Sequence, residues 1–184
     1  MLEYLLQINS EMIGVSIIDI KDRNFKTPIH YAIISKNSFA IKKLLEANCN
    51  LNTVDNKGYN ALHYAILSRD IEIVKLILPG ISNINTRTTT GETSLHLAVN
   101  LQQIPMAEYL IKNGINVNLQ DYSHEFSALH YAVSINNKYL IALLLDVSAN
   151  PNTQDVFGNT PLHYACIAGR SSNIEFLLFY SNYS

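Results

Sequence analysis

Several things that whole classes of protein require are scarce or missing in this chain. Its 184 residues include two cysteines, Cys49 and Cys166. Two are too few for the disulfide framework of a small secreted domain, so a reducing, intracellular setting is expected. Charged residues make up 15% of the chain and the net charge is -2, with Lys and Arg scattered among Asp and Glu. No basic block offers the phosphate-neutralising stripe on which nucleic-acid binding draws, and no nucleic-acid partner is expected. No apolar run approaches the ~18 residues of a membrane span, so no membrane insertion is expected. The N-terminal stretch is interrupted by Glu3, Glu11 and Asp19 and lacks the positive start of a signal peptide. Glycine-rich phosphate loops, paired zinc-ligand motifs and nucleophile elbows are also missing. Neither an enzyme nor a cofactor is expected.

What the chain does have is apolar content and repetition. Hydrophobic residues reach 48%, enough for a real core and too many for a disordered chain. One hexapeptide recurs five times: Thr27-Pro28-Ile29-His30-Tyr31-Ala32, Asn60-Ala61-Leu62-His63-Tyr64-Ala65, Thr93-Ser94-Leu95-His96-Leu97-Ala98, Ser127-Ala128-Leu129-His130-Tyr131-Ala132 and Thr160-Pro161-Leu162-His163-Tyr164-Ala165. The histidines are spaced 33, 33, 34 and 33 residues apart. Each is followed at a fixed distance by an aliphatic pair (Leu44-Leu45, Ile77-Leu78, Leu110-Ile111, Leu144-Leu145, Leu177-Leu178), and four of them by Asn52, Asn85, Asn118 or Asn152. Such self-similarity marks a repeat architecture.

Residues 55 to 85 show the physical unit. Asp55-Asn56-Lys57-Gly58 carries turn chemistry, because Asp bonds its own backbone and Gly accepts positive φ. A short helix is predicted over about 61–68, and in other copies Pro28 and Pro161 stand in its first turn, where a missing N–H costs nothing. A second helix, about 71–78, places Ile73, Val74, Ile77 and Leu78 at helical spacing before Pro79-Gly80 stops it. Helices this short are marginal alone; stacking in register gives each apolar face a partner.

These residues resemble the ankyrin repeat, whose signature Thr-Pro-Leu-His-x-Ala opens the first of two antiparallel helices. The resemblance covers about residues 22 to 180. It implies an all-α ankyrin-repeat solenoid of stacked antiparallel helix pairs, with β-turn fingers and a curved concave face. Expected boundaries are a divergent or partial N-terminal capping repeat over 1–21, then repeats at about 22–54, 55–87, 88–120, 121–154 and 155–184. Leu2-Glu3-Tyr4-Leu5-Leu6 reads as the second helix of an incomplete repeat. Three departures stand out: Phe25 holds the turn-glycine position of the first repeat, Thr88 replaces the turn aspartate of the third, and the fourth finger, 121–126, is one residue longer.

The histidines invite a metal reading, but neighbouring helices lie ~8–10 Å apart and zinc needs nitrogens at about 2 Å. Each ring is therefore expected to bridge repeats by hydrogen bonds, with its preceding Thr or Ser orienting it. Cys166 matches Ile33, Ile66, Val99 and Val133, and both cysteines are expected to be buried small apolar groups. Tyr31, Tyr64, Tyr131 and Tyr164 recur at one helical position and read as packing residues with the hydroxyl at an edge.

Residues outside these seams are the candidate partner-binding set. The two positions following the first-helix core supply Ile34, Leu67, Leu101, Ile135 and Ile167, and the fingers add Tyr59, Tyr122, Phe126 and Phe157. An apolar band of this kind is a partner site in a soluble monomer. Arg23, Lys26, Lys57 and Arg87 precede Glu92, Asp121, Glu125 and Asp155 along the fingers, a gradient able to orient a partner. The expected function is a monomeric adaptor or scaffold that binds a protein. Two alternatives are a targeting or regulatory segment of a larger enzyme or pathogen effector, and a direct inhibitor of a kinase or transcription factor. The resemblance also implies that Asn52, Asn85, Asn118 and Asn152 are candidates for hydroxylation, beside a turn-shaping role.

Overall fold

The computed structural model describes residues 17–181; the N-terminal segment read above as part of a capping repeat lies mostly outside them. The described residues form two compact units that divide between Asn83 and Ile84. The first holds α1 (Pro28–Ile34), α2 (Ser38–Glu46), α3 (Ala61–Leu67) and α4 (Ile71–Ile77), with 3-10 turns at Ile17–Asp19 and Leu78–Gly80. The second holds α5 (Ser94–Asn100), α6 (Ile104–Lys112), α7 (Ala128–Ser134), α8 (Lys138–Asp146), α9 (Pro161–Ile167) and α10 (Ser171–Ser181). Each odd-numbered helix pairs with the next in sequence, and first helices pack on first helices, α1 on α3 and α5 on α7 on α9.

The hexapeptide is a helix start built around a histidine. Thr27, Asn60, Thr93, Ser127 and Thr160 are the N-caps, with extended backbone, and the histidine is the third helical residue. Its Nδ1 accepts the N-cap backbone N–H at 2.9, 3.2, 3.1, 3.1 and 3.1 Å in the five copies. This is the geometry of a capping box, with an imidazole where Glu or Gln usually stands. Pro28 and Pro161 follow two of the caps at a position where no N–H is needed. Three residues then reverse the chain into the second helix, the middle one left-handed: Lys36, Arg69, Gln102, Asn136 or Gly169.

A seven-residue helix has little surface to bury alone, yet α3 buries all but its last residue. Ile29, Ile33, Leu62, Ile66, Leu95, Leu129 and Val133 are at most 1% exposed. Each side chain of this kind contributes roughly 1.5–3 kcal/mol on burial, available only because a neighbouring hairpin covers it.

The fingers are fixed by aspartates whose oxygens are all engaged. Asp55 Oδ1 accepts the Lys57 and Tyr59 amides at 2.8 and 2.9 Å, and Oδ2 accepts the Tyr64 hydroxyl at 2.6 Å. Asp22 and Tyr31, Asp121 and Tyr131, and Asp155 and Tyr164 repeat this pairing at 2.5, 2.9 and 2.6 Å. The third repeat lacks both partners at once, having Thr88 for the aspartate and Leu97 for the tyrosine. There Thr88 Oγ1 accepts the Glu92 amide instead, at 3.1 Å. Adjacent fingers join through main-chain bonds from Asn56 N–H to the Asn24 carbonyl in the first unit. In the second, Tyr122 N–H donates to Thr90 and Val156 N–H to His124. The Tyr122 backbone crosses so closely over Gly91 that a Cβ there would stand 2.3 Å from its nitrogen. Phe25 adopts the left-handed φ of 60° in the position where Gly58 and Gly158 show 78°, a strain of roughly 1–2 kcal/mol.

Loops stack through a second asparagine series. Asn50, Asn116 and Asn150 each turn back onto the amide two residues on, that of Asn52, Asn118 and Asn152. Between repeats, Asn85 Oδ1 accepts the Asn116 amide and Asn118 Oδ1 the Asn150 amide, both at 2.8 Å. Asn52 Oδ1 accepts the Ser82 amide at 2.9 Å.

Burial raises the pKa of Asp55, but the Tyr64 hydroxyl and the Tyr59 and Lys57 amides outweigh it, and the carboxyl stays below its usual value of 3.8. A depressed carboxyl stabilises the fold above its unfolded pKa and loses that contribution as pH falls through the folded one. Tyr64→Phe should therefore cost about 1.5 kcal/mol at pH 7, the size of a hydrogen bond to a charged group. In urea denaturation the gap between variant and parent should close below about pH 3.8, the unshifted carboxylate value.

Candidate protein-binding surface

The repeat histidines act between hairpins as well as within them. Since Nδ1 accepts an amide, the neutral ring carries its proton on Nε2. His130 Nε2 donates to the Asn159 carbonyl of the next repeat, 3.2 Å away. His30 Nε2 and His96 Nε2 are buried without a hydrogen-bond partner among the described residues. Each ring also meets the next repeat's tyrosine edge-on: His30 with Tyr64 at 5.2 Å, His96 with Tyr131 at 5.6 Å, His130 with Tyr164 at 6.0 Å. These three rings thus point into three separate junctions, and all five Nδ1 atoms are spent on their own caps.

Cys49 is buried, and burial followed by the nearby Asp19 charge pushes its thiol up to about 11. Cys166 is exposed, which corrects the expectation that it is buried. Its counterparts Ile33, Ile66, Val99 and Val133 are at most 1% exposed, whereas among the described residues no hairpin packs on the outer side of α9.

The candidate set divides by unit. In the first, Ile34 and Leu67 are 46% and 39% exposed at the ends of α1 and α3. Tyr59 is half-buried, its ring 5.7 Å from His63 and 5.8 Å from Tyr64. In the second, Leu101 and Ile135 are half-buried caps of α5 and α7, and Ile167 is 77% exposed at the end of α9. Phe126 is half-buried, stacked on His130 at 5.2 Å and meeting Tyr164 edge-on at 5.3 Å. Tyr59 and Phe126 stand at finger bases, because their main chains close the aspartate turns.

Two tips remain outward. Tyr122 is 62% exposed with the Arg87 guanidinium 5.0 Å from its ring centre, and Phe157 is 77% exposed. Their fingers are adjacent, joined by the bond from Val156 to His124. Val156, itself 48% exposed, belongs with them and escaped the sequence reading. Its signal is the turn Asp155-Val156-Phe157-Gly158, apolar where the second finger has Asn56-Lys57. On the first unit the Lys26 ammonium lies 5.7 and 5.2 Å from the Tyr31 and Tyr64 ring centres.

Histidine-capped helix pairs, aspartate-turned fingers and an asparagine-linked loop series define an all-helical repeat protein. The family model described as ankyrin repeats (3 copies) matches residues 1–88 and 121–184, and a second, ankyrin repeats (many copies), matches 95–145. The chain belongs to the ankyrin-repeat family. It is 38% identical over 177 residues to an ankyrin repeat protein of Acanthamoeba polyphaga mimivirus, covering 96% of this chain and 23% of that one. A 43-residue stretch is 49% identical to the transient receptor potential channel pyrexia of Drosophila melanogaster, covering 23% of this chain and 4% of the channel. Another, of 59 residues, is 39% identical to the E3 ubiquitin-protein ligase KEG of Arabidopsis thaliana, covering 32% and 4%. The chain thus spans less than a quarter of the relatives it matches. Ankyrin repeats are generic protein–protein interaction modules. No helix of the described residues is long and apolar enough to cross a membrane.

Burial lowers the pKa of His30, His96 and His130, that of His96 to about 4. The unfolded chain then binds more protons below pH 6.5, so stability is full above that value and falls as pH drops toward the folded pKa. Each such ring steepens the decline by at most about 1.4 kcal/mol per pH unit. Gln caps equally well without titrating. Urea denaturation of His96→Gln between pH 7 and 5 should therefore show a decline shallower by up to one proton's worth. An unchanged slope would remove His96 as its source.

Proposed function

We propose that this chain is an intracellular, monomeric adaptor module that binds a partner protein through the fingers and first-helix ends of its second unit. Tyr122, Phe157 and Ile167 form the centre of that surface, with Val156 beside them, while Leu101 and Ile135 shape the ridge from half-buried positions. The observation that carries this reading is the exposure of Phe157 and Ile167, each 77% open to solvent without a functional need inside the fold. Large apolar anchors on rigid turns supply affinity at small entropic cost. Phe126 contributes at the margin from its half-buried place, and Ile34, Leu67 and Tyr59 form a separate candidate patch on the first unit. No catalytic residue is assigned, in keeping with a family whose members typically serve as interaction modules.

A second reading has its own support. Because the mimivirus relative is about four times longer than the stretch it shares, this array also fits the role of a targeting segment in a larger polypeptide. Binding chemistry is the same in both; only what the bound partner is delivered to differs.

The triple variant Tyr122→Ala, Phe157→Asp and Ile167→Asp tests the surface. All three positions are exposed, so helical circular dichroism and urea midpoint should stay near the parent's. Affinity for whichever protein the parent chain retains from its native cells should fall at least about tenfold, since central anchors cost ~2 kcal/mol or more each. Equal retention by a folded triple variant would place the binding surface elsewhere.

A further inference from the structure

Beside the fourth finger lies a recess of about 390 Å³ whose polar walls are Arg87, Asn118, Gln120, Asp121, Tyr122 and Glu125. Three of these walls are committed within the fold. Asn118 accepts the Asn150 amide and donates to the Ser148 carbonyl. Gln120 donates to the Glu125 and Gln154 carbonyls. Asp121 holds the Ser123 and His124 amides on one oxygen and the Tyr131 hydroxyl on the other. Arg87, the one cation among the described walls, is half-buried, yet its guanidinium makes no hydrogen bond or ion pair with any described residue. Glu125 lines the same recess without pairing with it. The guanidinium rests instead 5.0 Å from the centre of the Tyr122 ring, a contact that leaves its N–H donors open. That ring is itself fixed, lying so close to Gly91 that a Cβ there would stand 2.5 and 2.8 Å from two of its carbons.

We propose that this recess receives the carboxylate of an aspartate or glutamate side chain on the partner protein, next to an apolar residue that meets Val156 and Phe157. The inference rests on the partner surface proposed above and supplies the chemistry of its occupant. A guanidinium held in place with open donors matches a carboxylate, which it can bind through two parallel hydrogen bonds. The negative charges of Asp121 and Glu125 in the same recess favour a single carboxylate over a doubly charged phosphate. The bond from the Val156 amide to the His124 carbonyl sets the fifth finger beside the fourth. The exposed Val156 and Phe157 therefore flank the charged recess, an apolar centre with a polar rim.

A random peptide library displayed on phage and selected against the full chain is the probe. Selected peptides should carry Asp or Glu beside an aromatic or large aliphatic residue. Their affinity should fall at least about tenfold for Arg87→Gln, the size of a charge-assisted hydrogen bond. Replacing the acidic residue of a peptide by Lys should restore its binding to Arg87→Glu. Selected peptides without acidic residues, or acidic ones that bind Arg87→Gln as they bind the parent, would overturn the proposal. If such peptides still fail to bind the triple variant Tyr122→Ala, Phe157→Asp and Ile167→Asp, the surface stands and only its occupant is wrong. If they bind that variant unchanged, the surface reading fails as well. As a readout independent of selection, N-acetylglutamate amide titrated at constant ionic strength should shift the Arg87 Nε–H resonance to saturation, and N-acetylglutamine amide should not. The same response to both, or to neither, would equally overturn the proposal.

Discussion

One imidazole, used from both ends, holds this architecture together. Through Nδ1 it completes the start of its own helix, and in His30, His96 and His130 its ring edge meets the next repeat's tyrosine, with His130 Nε2 also donating to the next repeat's Asn159 carbonyl. A cap on a seven-residue helix would be worth about 1 kcal/mol by itself. Here the same group also fixes where the neighbouring hairpin sits, so helix initiation and stacking are one event. Burial keeps the ring neutral, and neutrality gives it one donor and one acceptor.

The tyrosine that receives the ring edge passes the order outward. Its hydroxyl ends on the finger aspartate, whose other oxygen holds the turn amides. Helix start, ring contact and finger thus form a single run of interactions in each unit, from His30 through Tyr64 to Asp55 and from His130 through Tyr164 to Asp155. Fingers held this way keep exposed side chains such as Phe157 in place without packing behind them. That rigidity is what lets a short turn serve as a recognition element.

The repeat length, helix pairs and turn residues were legible in the sequence, because they depend on local chemistry that recurs at fixed spacing, while the Thr or Ser before each histidine was read as orienting the ring and not as the helix cap it is. Couplings between positions were harder to see. Thr88 reads alone as an isolated departure, yet with Leu97, which stands where the other copies have tyrosine, it replaces the two ends of one hydrogen bond, and their coincidence in a single repeat was the available clue. The loop asparagines Asn50, Asn116 and Asn150 recur as regularly as Asn52, Asn118 and Asn152, but their bonding pattern needs the stacked loops to appear. Cys166 was misread because its position is interior only where another hairpin follows. Tyr59 and Phe126 were read as finger tips from their place in the loop, whereas their own carbonyls close the aspartate turns and their rings lie against the histidines. Surface function was legible only as a set, because exposure is decided by these turns and not by residue type.

The central claim is the state of the imidazoles, and nitrogen-15 NMR of histidine-labelled protein reads it directly. At pH 7, and still at pH 6, His30, His96 and His130 should each show a protonated Nε2 and a bare Nδ1, with one-bond Nε2–H couplings protected from exchange. Rings protonated on Nδ1, or cationic already at pH 6, would contradict the account.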